Sequence, residues 1–294
     1  MTDRIGFIGL GTMGAALALR LARAGYAPVL WNRSPGRDEA IIAAGGRRAT
    51  TAAQVLAESD IVCSMLANDT AVLNTFDDDA LACSTAKLHI NLATVSLDAA
   101  RELAARHRHH GLDYVAAPVL GRPDVAAAGA LNIIAGGAAA SIDRAEPLLS
   151  HLGKRVWRVG DDPTHASLVK IGVNYTLIHA LQALGESLSL VEHGGVDAST
   201  FVDILTDTSF TGSAYVGYGG LIARRQYTPA AFSVELGLKD LGLAESAATE
   251  LGAALPTAPV MRDVFTETLA DEALAASDWS AIAEVIRRRP PLDG

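Results

Sequence analysis

The run Gly9-Leu10-Gly11-Thr12-Met13-Gly14 lies directly behind the apolar segment Ile5-Gly6-Phe7-Ile8 and directly ahead of Ala15–Arg23. Strand, glycine turn, helix: that order leaves few folds open. A second strand at Pro28–Trp31 closes the unit at the distance a dinucleotide-binding βαβ motif needs. A G-x-G-x-x-G pattern alone is weak evidence, and here the flanking elements supply the context. Gly9 permits the tight turn, Gly11 lets the backbone approach a pyrophosphate, and Gly14 lets the helix pack on the strand. The amides at the helix N-terminus then face the anion, with Leu10, Thr12 and Met13 completing the cofactor loop.

The end of the second strand chooses between nicotinamide cofactors. NAD-specific folds place Asp or Glu there to hold the ribose 2′-hydroxyl. This chain reads Trp31-Asn32-Arg33-Ser34-Pro35-Gly36-Arg37. Asn32 is neutral and does not repel a 2′-phosphate. Arg33 meets that phosphate in a charge-assisted pair or lies on the adenine, and Ser34 adds a hydroxyl donor. NADP(H) is expected over NAD(H). Arg37 is either a further phosphate ligand or an exposed charge at a helix start.

Strand-like runs at Arg4–Ile8, Pro28–Trp31, Ile61–Leu66, Leu88–Leu92, Tyr114–Val119, Leu131–Ala135 and Val156–Val159 alternate with helical stretches such as Ser96–His109 and Ser141–Leu152. This predicts an α/β fold with an N-terminal Rossmann doubly wound, mostly parallel sheet. After Asp161-Asp162-Pro163 the pattern changes. Thr164 to about His193 reads as one helix with Leu168, Ile171, Tyr175, Ile178 and Leu181 on an apolar face. Helical periods follow at Ala198–Thr206, Tyr215–Ala223, Lys239–Leu251, Pro259–Leu269 and Trp279–Arg288. The expected division is an NADP-binding domain over 1–162 and an all-α substrate and dimerisation domain over 163–294, joined by the long interdomain helix. So long an apolar helix predicts a homodimer, unless the chain's own C-terminal helices cover it.

A net charge of −9 argues against nucleic acid or an anionic membrane as partner. Cys63 and Cys83 form no metal or disulfide spacing, and Cys63 reads as core. The first apolar run is the Rossmann strand itself and no run has the length of a membrane span, so a cytoplasmic protein is expected.

An enzyme also needs a proton donor. Lys170 and Asn174, four apart on the long helix, share one face. Apolar neighbours would desolvate the ammonium and bring its proton affinity toward the catalytic range. On spacing alone, a helix lysine is more often a solvated charge.

Four marks in order resemble the β-hydroxyacid dehydrogenase family, which includes 3-hydroxyisobutyrate dehydrogenase and glyoxylate/succinic semialdehyde reductase. Gly9–Gly14 followed by Ala24-Gly25 looks like its N-terminal signature, and Ala116-Ala117-Pro118-Val119-Leu120-Gly121 like its substrate loop. Lys170 with Asn174 matches its G-x-x-x-K-x-x-x-N segment, with Ala166 in place of the leading Gly. Leu238-Lys239-Asp240-Leu241 resembles its C-terminal K-D-L mark. The resemblance implies Lys170 as general acid or base, and Asn174 as orienting substrate or Lys170. It implies Thr94 beside the nicotinamide, Met65, Leu66 and Lys239 at the cofactor, and Phe232 and Asp240 shaping the substrate pocket. Bland readings stay open: Phe232 as core, Asp240 as a helix N-terminal charge, Thr94 as a helix start.

The substrate loop departs from the family's P-V-S-G-G. It reads Pro118-Val119-Leu120-Gly121-Arg122-Pro123-Asp124, so Leu120 brings no donor to a substrate carboxylate. Arg122 either restores anion binding or points to solvent. This G-R-P-D variant also resembles relatives of the imine reductases, whereas retention of Lys170 favours a carbonyl electrophile. Three activities therefore compete: an NADPH-dependent reductase of a small aldehyde or keto acid, an imine reductase, and a non-catalytic NADP-binding regulator. Tyr215 and Tyr218, in the Gly-rich stretch 211–220, either line the substrate cavity or belong to an interhelix loop.

Overall fold

The computed structural model describes residues 3–290. Two compact units divide it, 1–170 and 171–294.

The first unit opens with β1 (Ile5–Ile8), α1 (Thr12–Arg23), β2 (Val29–Trp31), α2 (Glu39–Ala43), β3 (Arg47–Arg48) and α3 (Ala52–Glu58). It continues with β4 (Ile61–Ser64), α4 (Asp69–Thr75), α5 (Asp78–Ala82), β5 (Leu88–Asn91), α6 (Leu97–His109) and β6 (Asp113–Ala116). These six strands form one parallel sheet in the order β3-β2-β1-β4-β5-β6. The order reverses between β1 and β4, which is where a doubly wound sheet opens a crevice at its carboxyl end. Apolar residues on both faces explain why the strands read as continuous runs: β1, β4 and β5 are buried at every position. Cys63 sits in that core, its thiol pushed up to about 12 by burial.

The predicted strand over 114–119 breaks after Ala116, because Pro118 has no N–H for a ladder and the chain leaves the sheet there. The later strands do not extend the doubly wound sheet. β7 (Val119–Leu120), followed by α7 (Pro123–Ala127), then β8 (Leu131–Ala135), α8 (Ala139–Leu152) and β9 (Gly153–Arg158) build a separate sheet. In it β7 runs antiparallel to β8, and β9 runs parallel.

Helix α9 (Pro163–His193) spans 31 residues and carries the boundary between the units. In the second unit its Ile178, Leu181, Leu184 and Leu188 enter a core shared with α10 (Ala198–Thr208), α11 (Ser213–Ala223), α12 (Val234–Leu251) and α13 (Ala258–Ala270). A 3-10 turn at Trp279–Ala281 and α14 (Ile282–Arg288) complete that core. The chain's own helices therefore cover this stripe. The Gly-rich stretch with Tyr215 and Tyr218 is helical rather than a loop. Among the described residues no helix is long and apolar enough to cross a membrane.

Candidate active site

At the carboxyl end of β1 the chain turns at Gly9, whose φ of +93° suits glycine. A Cβ on Gly9 would lie 2.4 Å from the Met65 carbonyl oxygen and 2.9 Å from Leu66 Cδ2, so Met65 and Leu66 abut the loop. A Cβ on Gly14 would lie 1.9 Å from the Gly9 carbonyl oxygen, and this contact explains the glycine after the turn. A Cβ on Gly11 would meet nothing within 4 Å. That face of the loop is open, with room for a ligand to approach the backbone. Gly11 caps α1 without a side chain, and no acidic residue occupies the helix's first turn. Amides left without side-chain partners at a positive helix end suit a bound diphosphate. Met13 packs partly buried against the sheet core.

Asn32 directly follows β2, in a role the sequence did not disclose. Its Oδ1 accepts the Leu10 N–H at 2.9 Å, pinning the glycine loop, while its Nδ2 donates to the Ser34 carbonyl at 2.6 Å. Beyond it lies a cavity of about 410 Å³ lined by Asn32, Arg33, Ser34, Arg37, Asp38 and Arg48 among others. Arg37, exposed just before the Asp38 cap of α2, donates to Thr12 Oγ1 at 2.9 Å, which ties it to the start of α1. Arg48 was invisible to pattern reading because β3 is two exposed residues long and has no apolar period. These features fit a nicotinamide dinucleotide.

Thr94 lies in the turn between β5 and α6. It does not start the helix: Ser96 does, its Oγ accepting from Ala99 N. Behind this turn lies a buried polar chain that no local pattern marks. His107 Nδ1 donates to the Leu103 carbonyl at 2.7 Å, a contact in which only the ring nitrogen can carry the proton. His107 Nε2 therefore accepts from His89 Nδ1 at 2.8 Å. Ser64 Oγ lies 2.8 Å from His89 Nε2 and 3.1 Å from Asn91 Oδ1, and Asn91 Oδ1 also accepts from Ala93 N at 3.1 Å. Burial, then the neighbouring His107, holds His89 well below the ordinary imidazole range; burial lowers His107 to about 4. Phe76 stacks on His89 at 3.8 Å. This cluster ties together the ends of β4 and β5, from which the Met65-Leu66 and Thr94 turns depart.

In the predicted substrate loop, Leu120 is half-buried on β7 and Gly121 adopts φ +143°, with its Cβ position 2.6 Å from Leu131 Cδ2. Arg122 is the N-cap residue of α7.

Lys170 is buried, only 9 % exposed, and Asn174 one turn later is 3 % exposed. With Ile178 and Leu181 they mark one face of α9, so two polar groups replace apolar ones at the start of its buried stripe. Asn174 Nδ2 donates to Asp240 Oδ2. A carboxylate only accepts, so the amide is held with its own Oδ1 facing away from Asp240. Lys239 Nζ stands 3.1 Å from Asp240 Oδ1. Asp240 is not a helix N-terminal charge: α12 starts six residues earlier, behind the Ser233 cap, because Val234 and Gly237, outside the helix expected over Lys239–Leu251, are buried on its first turns. Phe232 is half-buried with its ring 4.7 Å from that of Trp279, edge to face.

A Rossmann sheet carrying this loop defines a dinucleotide-binding protein. Residues 4–160 match the family model for the NAD-binding domain of 6-phosphogluconate dehydrogenase. Residues 165–286 match that for the NAD-binding region of NADP-dependent 3-hydroxyisobutyrate dehydrogenase. The chain belongs to the β-hydroxyacid dehydrogenase family. It is 36% identical to an uncharacterised oxidoreductase, YfjR, of Bacillus subtilis, over 97% of this chain and 100% of that one. It is 30% identical to 3-hydroxyisobutyrate dehydrogenase of Pseudomonas aeruginosa, covering 98% and 99% of the two chains. The structure of the Mycobacterium tuberculosis 3-hydroxyisobutyrate dehydrogenase with L-serine superposes with a TM-score of 0.87 at 29% identity, over 98% of this chain and 100% of that one. An imine reductase from Pseudomonas sp. shares the fold, with a TM-score of 0.65 at 21% identity and coverage of 97% and 100%. The chain is accordingly an NAD(P)-dependent oxidoreductase of the hydroxy-acid dehydrogenase type.

Proposed function

We propose that the chain uses NADP(H) to interconvert a small β-hydroxy acid and its carbonyl counterpart, with Lys170 as general acid and base. The observation that carries this reading is a buried lysine one helical turn from an asparagine whose orientation a carboxylate fixes. When bound, the nicotinamide supplies or accepts the hydride. Lys170 Nζ gives a proton to the substrate oxygen in reduction and takes it back in oxidation. Asn174 Oδ1, turned away from Asp240, is the acceptor that orients the ammonium or a substrate hydroxyl. Arg33, Ser34 and Arg37 support the preference for a 2′-phosphate, since they place two cations and a hydroxyl on one cavity wall.

We assign cofactor binding to the domain 1–162, with Gly9–Gly14, Asn32, Met65, Leu66 and Thr94, and to Lys239 of the domain 163–294. Leu120, Gly121, Arg122, Phe232 and Asp240 are assigned to the substrate. A homodimer belongs to the same proposal, supported by the exposed Leu190, Ile204, Val216 and Val260 on four helices of the second unit.

The test follows absorbance at 340 nm with NADP+ and 3-hydroxyisobutyrate or L-serine, and with NADPH and succinic semialdehyde or glyoxylate. Lys170→Ala should lose turnover at least about a hundredfold while NADPH affinity stays nearly unchanged. Equal loss of both would move the lysine to folding or cofactor binding. Imine reduction is the second reading, favoured by Leu120, which lacks a donor for a carboxylate. NADPH oxidation with a cyclic imine but with no carbonyl would establish it. Tight NADPH binding without turnover on either panel would leave a regulatory protein.

A further inference from the structure

Asp38 stands on the wall of the same cavity, seven residues beyond the strand end at which an NAD-type fold keeps its ribose-binding acid and this chain has Asn32. It is 5 % exposed, and Arg48 engages both its oxygens: Nε donates to Oδ2, and Nη2 to Oδ1 at 2.7 Å. The paired guanidinium holds the carboxyl below its ordinary range. The other N–H groups of Arg48 have no protein partner among the described residues, and its side chain is 56% exposed on the cavity wall.

Strand β3 explains the geometry. Arg47 and Arg48 pair with Val29 and Leu30 of β2, and consecutive strand residues point to opposite faces. Arg47 accordingly reaches Glu58 on α3, while Arg48 reaches Asp38 at the start of α2.

We propose that the Arg48–Asp38 pair is a cofactor-specificity device. The fork occupies the acid that would otherwise accept a ribose 2′-hydroxyl, and it presents a third cation, with Arg33 and Arg37, to a 2′-phosphate. The inference rests on the NADP(H) reading given above. An arginine in this place serves twice: it removes an acceptor that favours NAD(H), and it adds donors that favour NADP(H). Lysine would keep the charge but not the two-point grip.

The experiment measures affinities of the full chain for NADPH, NADH and 2′,5′-ADP, which carries the phosphate without a nicotinamide, by fluorescence and calorimetry. Wild type should prefer NADPH and bind 2′,5′-ADP. Arg48→Ala should weaken NADPH and 2′,5′-ADP about ten- to hundredfold, with NADH within about threefold of wild type or tighter. Arg48→Lys should fall between. Removing the bared carboxylate as well, in Arg48→Ala/Asp38→Asn, should recover part of the loss. A wild type that prefers NADH sinks the cofactor reading itself. A wild type that prefers NADPH, with a ratio that Arg48→Ala leaves unmoved or with all three ligands weakened alike, sinks only this inference. Should Arg48→Ala not fold, Arg48→Gln and Arg48→Lys decide by the same ratio.

Discussion

The buried His89–His107 pair makes stability depend on pH in a window where few other groups titrate. In the unfolded chain both imidazoles take up a proton below about pH 6.5. In the folded chain burial keeps them neutral, His107 down to about 4 and His89 well below its ordinary value. The unfolded state thus binds more protons on acidification. Stability is complete above pH 6.5 and falls as the pH drops toward 4. A tenfold difference in proton affinity is worth about 1.4 kcal/mol, so His107 alone should cost about 2 kcal/mol by pH 5 and about 3 near pH 4. His89 adds in the same direction. Carboxylates contribute mainly below this range: Asp60, for one, is lowered to about 2 by Arg4. Urea unfolding followed by circular dichroism at pH 8, 7, 6 and 5 gives the curve. His107→Gln should start lower at pH 8, having lost the bond to His89, and then decline less steeply. A wild-type free energy that is flat from pH 7.5 to 5 would refute the neutral, buried chain.

Gly14→Ala should abolish measurable NADPH binding and lower stability by about 1–3 kcal/mol, because the new methyl meets the backbone oxygen of Gly9 rather than a movable side chain; calorimetric titration reads the first effect and urea unfolding the second. Gly237→Ala places a Cβ 2.5 Å from the Phe265 ring and 3.1 Å from Trp279 Cε3, so the urea midpoint should fall by an equivalent of about 1–3 kcal/mol. An unchanged midpoint would mean that the aromatic pair yields freely. Leu120→Ser restores the missing donor and should lower KM for a carboxylate-bearing substrate about tenfold with NADPH affinity unchanged. No change in KM would place the carboxylate elsewhere.

Much of the Rossmann half was legible because burial on both sheet faces leaves continuous apolar runs, and because Gly9, Gly11 and Gly14 have few other uses at that spacing. The long α9 was legible from its uninterrupted period. Short elements were not. β3 is two exposed arginines, and α2 and α5 are five residues each. Cap signals were nonetheless present: Thr51 accepts from Gln54 N, Asn68 from Ala71 N, and Asp77 from Ala80 N. The site was legible as residue types and opaque as partnerships. Asn174 with Asp240, Arg48 with Asp38, and His89 with His107 are separated by 66, 10 and 18 positions. No local period encodes such pairs; only the packed chain creates them.

The amide that follows β2 bears on any attempt to redesign this enzyme's cofactor. Because Asn32 grips the Leu10 N–H with one end and the Ser34 carbonyl with the other, the glycine loop and the turn after β2 share a common fastener. An aspartate introduced there would keep the acceptor but forfeit the donor, freeing the segment that carries Arg33 and Ser34. Swapping the coenzyme at that residue therefore means rebuilding a joint, whereas the arginine-paired acid farther along the wall is a fitting that changes without disturbing it.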